Sequence, residues 1–420
     1  MSSAPIVVQK FGGTSVSTPE RRALVVEHVR QARAQGFHVT IVVSAMGRRG
    51  DPYATDTLLD LLRDEGGTVA PDDYDLMFTA GETISAAVMS QALKRGGIPA
   101  TALTAAQARI FTDGRHVEAQ ITDIDTTRLR ALMDAGLVPV VTGGQGVARE
   151  TLDYTTLGRG GSDTSGVAVG AALGACRVDI FTDVEGVAIA DPQLVPGARI
   201  RARVSYDAMY ELARYGAKVV HPRALLAGRD AAVPVVVRST FSAAPGTTIE
   251  DVEDEAPIVG LAVLPPMETL VLAPGAVGGA TREEWERRLV MSFIDTCSGY
   301  TFVAATDDKR DELHTAVREA GAEPLRSDGR CCWLSVVGDR MAVRHGHVQW
   351  SARLAQQGII IRGVEISARR VTYVLREENR TQAVALVHGM IEQLPGAIGE
   401  AEAGDGAEGL DDAAETRRSE

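Results

Sequence analysis

The sequence predicts an α/β protein, a mostly parallel sheet sandwiched by helices and followed by two small α+β modules. Three observations carry that expectation. Short apolar strands alternate with helical stretches through the first 250 residues, the pattern of a parallel sheet covered on both faces. Aromatic residues make up only 5% while glycine occurs 43 times, which fits tightly packed α/β layers better than a β-sandwich. Finally, the acidic, proline-terminated stretch EDVEDEAP (250–257) separates this region from one of different texture. The chain therefore divides into an α/β domain (1–250), a degenerate module (258–325), a second module (326–397) and an acidic tail (398–420). That tail lacks an apolar period and reads as disordered.

IVVQKF (6–11) has the continuous apolar character of a buried strand, and a polar glycine-rich turn, GGTSVSTPE, follows it. PERRALVVEHVRQARAQG is an amphipathic helix whose start is marked by Thr18-Pro19 and whose end is marked by Gly36. HVTIVVSAM (38–46) is the next strand. The rhythm recurs in ALKRGGIPATALTA, then a helix, then GLVPVVTGG, then TLGRGGSDTS and the small apolar helix GVAVGAALGA, then VDIFTDV. VPVVVRSTF (233–241) closes the region. Beyond the acidic stretch, METLVLAP, TREEWERRLVMSF, YTFVAATDD and KRDELHTAVREAG form one βαβ-type series. CCWLSVVGD, HGHVQWSARLAQQG, IIIRGVEISA, RRVTYVLRE and NRTQAVALVHGMIEQL form another.

Composition excludes several classes of function. The 420 residues carry a net charge of −13, so no nucleic-acid footprint is expected. No apolar run reaches membrane-spanning length, and the amino terminus lacks a basic region followed by a long apolar one, so a cytoplasmic location is expected. The four cysteines show neither CxxC nor metal-ligand spacing. Adjacent Cys331 and Cys332 read as strand residues.

The polar, glycine-rich stretches follow strands, where ligands bind on such sheets. In KFGGTSV, Lys10 ends a strand before Gly12 and Gly13. Backbone N–H groups and a helix start could meet phosphate there, with the lysine adding a point charge. A plain strand-end turn remains the alternative, since neither GxxxxGK[ST] nor GxGxxG occurs. TLGRGGSDTS (156–165) flanks its glycines with Arg159 and Asp163. An arginine in such a loop suits bidentate carboxylate binding, although isolated glycine-rich loops are usually mobile turns. In FTDVEGV, Thr182 and Asp183 end a strand, as an Asx turn also would. YGAKVVHPRA places Lys218 and His221 at or after a helix end, with the histidine read as structural. Glu82, in FTAGETISAAV, reads as a helix-start residue that could simply favour the dipole, and Ser44 at a strand end is similarly ambiguous.

Taken together, KFGGTSV, VVSAMG, GETIS, TLGRGGSDTS, IFTDVEGV, ADP and GAKVVHPRA occur in an order and approximate spacing similar to the aspartate kinases, of the amino-acid kinase fold. The likeness runs over most of residues 5–250. MGRRGDPYATDTLLDLL resembles the version in bacterial enzymes of the meso-diaminopimelate branch, and the two carboxy-terminal modules occupy the place of the family's paired ACT domains. The resemblance implies ATP- and Mg2+-dependent phosphorylation of the β-carboxylate of L-aspartate to 4-phospho-L-aspartate, the first step towards lysine, threonine and methionine. It assigns Lys10 and Asp163 to catalysis, with Lys10, Gly12 and Gly13 around the transferring phosphoryl group. Ser44, Thr55, Glu82, Arg159 and Ser162 would form the aspartate pocket, and Thr182, Asp183 and Lys218 would face the nucleotide. A homodimer or larger assembly through the ACT-like modules is implied.

Two departures qualify the likeness. Gln193 stands where the family commonly has an arginine after ADP, and Ala188 where many members carry a tyrosine. The first module reads LVLAPGAVGGATREEWERRL in place of a strand, a DKPG-like turn and a helix, with shortened strands after it. The second has His345-Gly346-His347 in place of Pro-Gly. Binding of lysine or threonine as an effector is therefore doubtful. Two other readings stay open: a related kinase for another small carboxylic acid, and a catalytically silent homologue that binds amino acids and regulates a partner.

Overall fold

A computed structural model of the chain describes residues 4–288 and 291–394. The acidic tail and the end of the second module lie outside the described residues.

The first strand, β1 (Ile6–Phe11), passes through Gly12 into a short helix, α1 (Gly13–Val16), and then α2 (Pro19–Ala34). Thr18 caps α2 by accepting the Arg21 N–H at 3.3 Å, and Pro19 occupies the first turn, where its missing N–H costs nothing. Next come β2 (His38–Val43), α3 (Thr55–Asp64), α4 (Pro71–Arg95), β3 (Ala100–Leu103) and α5 (Ala105–Ala108). The chain continues through β4 (Ile110–Thr112), β5 (Ile121–Ile124), α6 (Thr127–Asp134), β6 (Val138–Thr142), β7 (Gln145–Ala148), β8 (Tyr154–Thr156) and α7 (Gly161–Leu173). β9 (Arg177–Thr182), β10 (Arg203–Ser205), α8 (Tyr206–Arg214), α9 (Pro222–Asp230), β11 (Val235–Ser239) and β12 (Thr247–Glu250) complete this half.

Eight of these strands form the main sheet, in the order β10-β12-β11-β9-β1-β2-β6-β3. Every pairing in it is parallel except β11 with β12. Period-two alternation sends neighbouring side chains to opposite layers. Val7, Ile41 and Val140 join α2 and α4, through Val25, Val29, Met89 and Leu93. Val8, Val42 and Val141 join α6, α7 and α9, through Leu129, Val167 and Leu225. With both faces covered, the strands are almost continuously apolar, which is why they stood out in the sequence. The chain leaves β1 for β2 on one side and returns to β9 on the other. The strand order therefore reverses at β1, and the carboxyl ends there flank a crevice.

A second sheet, β5-β4-β7-β8, sits beside the first and was not anticipated. Its strands span only three or four residues, and β5 is half exposed with little apolar alternation, too weak a period to read.

The carboxy-terminal half contains β13 (Ile258–Leu272), α10 (Gly279–Arg288), β14 (Ser292–Asp295), β15 (Thr301–Ala305) and α11 (Arg310–Glu319). It then repeats the plan with β16 (Arg326–Gly338), α12 (Arg340–Gln356), β17 (Ile361–Ile366), β18 (Arg370–Arg376) and α13 (Arg380–Glu392). The six strands make one sheet, β14-β15-β13-β16-β18-β17, and adjacent strands are antiparallel throughout. The βαβ-type expectation is thus corrected in one respect. In each unit the strands flanking the helix run the same way, but a third strand lies between them, a split βαβ. The long strands β13 and β16 pair with each other and belong to both units. Trp350, Val384 and Ile391 cover one end of the sheet, and Trp285, Leu313 and Val317 cover the other.

The acidic stretch between the halves is docked. Asp254 accepts the Ser205 N–H at 2.7 Å and the Ser205 hydroxyl at 2.6 Å, and it pairs with Arg369 at 3.3 Å. The other face of the carboxy-terminal sheet packs on α8, placing Val259, Trp333 and Val374 in one core with Met209, Leu212 and Tyr215.

Candidate active site

The crevice at β1 gathers the polar stretches read from the sequence. Lys10, one residue before the end of β1, is only 9% exposed, and its Nζ lies 2.6 Å from Asp163 Oδ1 in the first turn of α7. Glycine makes this pairing possible. A Cβ on Gly166 would stand 3.0 Å from Lys10 Cβ, so the lysine stem lies directly against the helix backbone. Asp163 Oδ2 accepts the backbone N–H of His221 at 3.3 Å, which fixes the carboxylate from its other side. Gly12 follows the lysine, and a Cβ there would lie 3.8 Å from its Nζ. Gly13 runs against the Ala45 and Gly47 backbone, where a Cβ would come within 2.5 Å of a carbonyl oxygen.

Gly160, which precedes helix α7 as its cap, lies in the left-handed region at φ +68°. The ring of His221 packs where its Cβ would be, and His221 Nδ1 caps α9 by accepting the Arg223 N–H at 3.3 Å. Burial pushes the imidazole pKa down, against the pull of Asp163. The histidine read as structural therefore touches the site, holding the turn that presents Asp163. Ser162 lies against Gly143 and Gly144, just beyond β6. Arg159 is exposed, and among the described residues no carboxylate lies within salt-bridge distance of its guanidinium.

Glu82 corrects a sequence expectation. Helix α4 starts at Pro71, so Glu82 stands in its interior and not in a first turn, and the dipole reading does not apply. Gly81 lets the helix pack closely on Ala45 and the Tyr53 carbonyl, 3.0 and 3.3 Å from where a Cβ would be. Glu82 is 2% exposed. Its Oε1 accepts the Ala45 N–H at 3.3 Å, and Oε2 is buried without a hydrogen-bond partner among the described residues, while Thr55, the first residue of α3, pulls the carboxyl pKa down. Burial dominates these contacts and pushes the carboxyl up to about 8. Such a group awaits a cation or a donor. Ser44 follows β2, its N–H bonded to the Phe11 carbonyl at 3.1 Å, so the ends of β1 and β2 are tied together.

On the far side of β1, Thr182 ends β9 and Asp183 follows. The Asp183 carboxylate pairs with Arg48 at 2.9 Å, a contact between two loops that no local sequence signal could show. Lys218 is exposed in the turn between α8 and α9. Gln193 is exposed in the loop after β9, where its N–H closes an Asx turn on Asp191 at 2.9 Å. Among the described residues no group of three or more His, Cys, Asp or Glu side chains could hold a metal ion, and no helix is long and apolar enough to cross a membrane.

This arrangement presents two cations, strand-end N–H groups and one buried acid around an open crevice, a design for anionic reactants. Residues 5–239 match the amino acid kinase family. The chain is 35% identical over 406 residues to an aspartokinase of Mycolicibacterium smegmatis, covering 91% of this chain and 95% of that one. The chain belongs to the aspartokinase family. Aspartokinase 1 of Bacillus subtilis is 48% identical over a shorter stretch of 244 residues, 58% of this chain and 60% of that relative. The fold superposes on Escherichia coli aspartokinase III in complex with aspartate and ADP. The TM-score is 0.72 at 21% identity, over 92% of this chain and 100% of that one.

Proposed function

We propose that the protein transfers the γ-phosphoryl group of ATP to the β-carboxylate of L-aspartate, giving 4-phospho-L-aspartate and ADP. A carboxylate is already ionised near pH 7, so the reaction needs no general base. An oxygen of the β-carboxylate forms a bond to the γ-phosphorus as the bond to the β,γ-bridging oxygen breaks, and ADP departs with that electron pair. Two anions must be brought together, and fixed positive charge is what the residues of this site supply.

Lys10 meets the transferring phosphoryl group and Asp163 holds it in place, with Gly12 and Gly13 beside the path of transfer. Arg159 clamps a substrate carboxylate, and Glu82 takes the substrate ammonium on its unpartnered oxygen. Ser44, Thr55 and Ser162 complete the pocket, while Thr182, Asp183 and Lys218 face the nucleotide. Mg2+, bound with ATP, would neutralise phosphate charge. The donors present fit an ion carried by phosphates and water, with Asp183 as the strand-end carboxylate at hand, since no three-ligand cluster occurs among the described residues. The single observation that carries the reading is the largely buried Lys10–Asp163 pair at the end of β1, 2.6 Å long.

The units 1–250, 258–325 and 326–397 are proposed as catalytic and paired ACT-like domains, and assembly as a homodimer or larger through the latter. Exposed Met341 and Val348 on one side of α12 support that assembly. Feedback by lysine or threonine is proposed to be weakened or lost. His345-Gly346-His347 lies inside α12, with the His347 Nδ1 3.0 Å from the Tyr373 hydroxyl. ADP release dependent on L-aspartate tests the reading. Lys10→Ala should lower turnover by at least ~100-fold, the scale of a lost transition-state charge contact. A turnover within a few-fold of the unaltered protein would remove Lys10 from the mechanism.

A further inference from the structure

Asp75 lies on α4, seven residues before Glu82 and on the same buried stripe, and its side chain has no exposure. Two separate pieces of chain converge on its carboxylate. The Thr156 hydroxyl donates to Oδ1 at 2.5 Å. The Val117 N–H reaches both oxygens, at 3.1 and 3.0 Å, and His116 Nδ1 lies 2.8 Å from Oδ2.

Two features show that this is more than a satisfied core carboxylate. Val117 is β-branched yet sits at φ +69°, a conformation such residues avoid unless their surroundings impose it. In that conformation its N–H is shared between the two carboxylate oxygens of Asp75. The Val117 carbonyl then stands against Gly158, 3.2 Å from where a Cβ would be, with Gly158 itself at φ +73°. Thr156 in turn is the last residue of β8, and only Leu157, Gly158, Arg159 and Gly160 separate it from α7. The carboxylate thus grips the entry of this four-residue loop twice, through Thr156 before it and through Val117 beside it.

We propose that Asp75 is a positioning residue for the substrate clamp. It fixes the loop carrying Arg159 relative to the helix carrying Glu82, and so sets the separation between the two groups that read opposite charges of the amino-acid substrate. The proposal rests on the reading of Arg159 and Glu82 given above. Asp75 touches neither reactant. Loosening it shifts one half of the aspartate site against the other and leaves the nucleotide side, at the ends of β1 and β9, where it was.

Steady-state kinetics of Asp75→Asn, with each substrate varied in turn, tests this. Asparagine keeps the shape but offers an N–H2 where the site supplies donors. The KM for L-aspartate should rise by at least ~10-fold while that for ATP stays within about 2-fold, because small misplacement of a binding group is felt steeply. A folded Asp75→Asn protein with an unchanged aspartate KM, or with equal loss towards both substrates, overturns the proposal. Should that variant not fold, Thr156→Val and Thr156→Ser decide. The valine variant should raise the aspartate KM selectively and the serine variant should restore it, whereas no difference between them overturns the idea. The unaltered protein is the control for the parent reading. If it makes no product from aspartate, the substrate assignment fails. If it does and the variants behave like it, only the role of Asp75 fails.

Discussion

Glu82 is the residue whose chemistry is set most strongly by its surroundings. Its carboxyl titrates at about 8 in the folded chain against 4.5 ordinarily, because burial disfavours the charge. The folded state then holds a proton that the unfolded state has lost, so this group makes stability fall as pH rises from 4.5 to 8, with no further loss above. Glu82→Gln should remove that slope, seen as a melting temperature that exceeds the unaltered protein's by more at pH 8 than at pH 5. A substrate ammonium would reverse the preference and draw the proton off. Aspartate affinity should therefore climb with pH towards 8, and calorimetry in buffers of different ionisation enthalpy should detect proton release. Affinity independent of pH across 6–8 would place the ammonium elsewhere. Lys10, Arg159 and Asp163 were legible because each stands beside glycines at a strand or helix end. The importance of Glu82 was legible only by resemblance, and its burial was not. Asp75 left no signal at all, and His221 was legible only as a structural residue, since their partners lie 41 to 81 and 58 residues away in sequence.

Among the elements, the turn from β8 into α7 concentrates the demands of the site. Gly160 and Gly174, at the two ends of α7, are both left-handed, at φ +68° and +62°. A Cβ on Gly160 would lie 2.2 Å from the His221 ring, whereas nothing lies within 4 Å of one on Gly174. Gly174→Ala should cost only the backbone penalty, about 1 kcal/mol, with activity retained. Gly160→Ala should cost clearly more in denaturant unfolding and abolish activity, because the histidine ring or the loop must move. Equal effects at the two positions would remove His221 from the site. The small-residue run of α7 could be read as buried from sequence alone, and the parallel strands could be read from their unbroken apolar character. The second sheet could not, because strands of three or four residues carry too little period.

Across the whole molecule, the carboxy-terminal sheet is built onto the catalytic half. Arg370, 4% exposed, pairs with Glu211 of α8 at 2.9 Å and with Glu365 at 2.7 Å, and its guanidinium lies 3.6 Å from the Tyr215 ring centre. Arg201 donates to the Ile258 and Val259 carbonyls at 2.6 and 3.0 Å. Arg370→Met would leave two carboxylates without their shared cation and should destabilise the protein by about 3 kcal/mol, read as a fall in the unfolding midpoint. A midpoint unchanged within error would show that the two halves do not depend on this contact. The sequence indicated two modules after the acidic stretch. It could not indicate one continuous sheet, because strand order depends on pairings between β13 and β16 that span 55 (Val271 with Arg326) to 80 (Ile258 with Gly338) residues. The measurement that tests the central claim most directly is ATP- and Mg2+-dependent acyl-hydroxamate formation by the purified protein. L-aspartate, L-glutamate, N-acetylglutamate and other small carboxylic acids would be offered separately, with and without lysine and threonine. Product from L-aspartate alone, without strong inhibition by lysine or threonine, is the result this account predicts. Product only from another acid, or none from folded protein that still binds ATP, would contradict it.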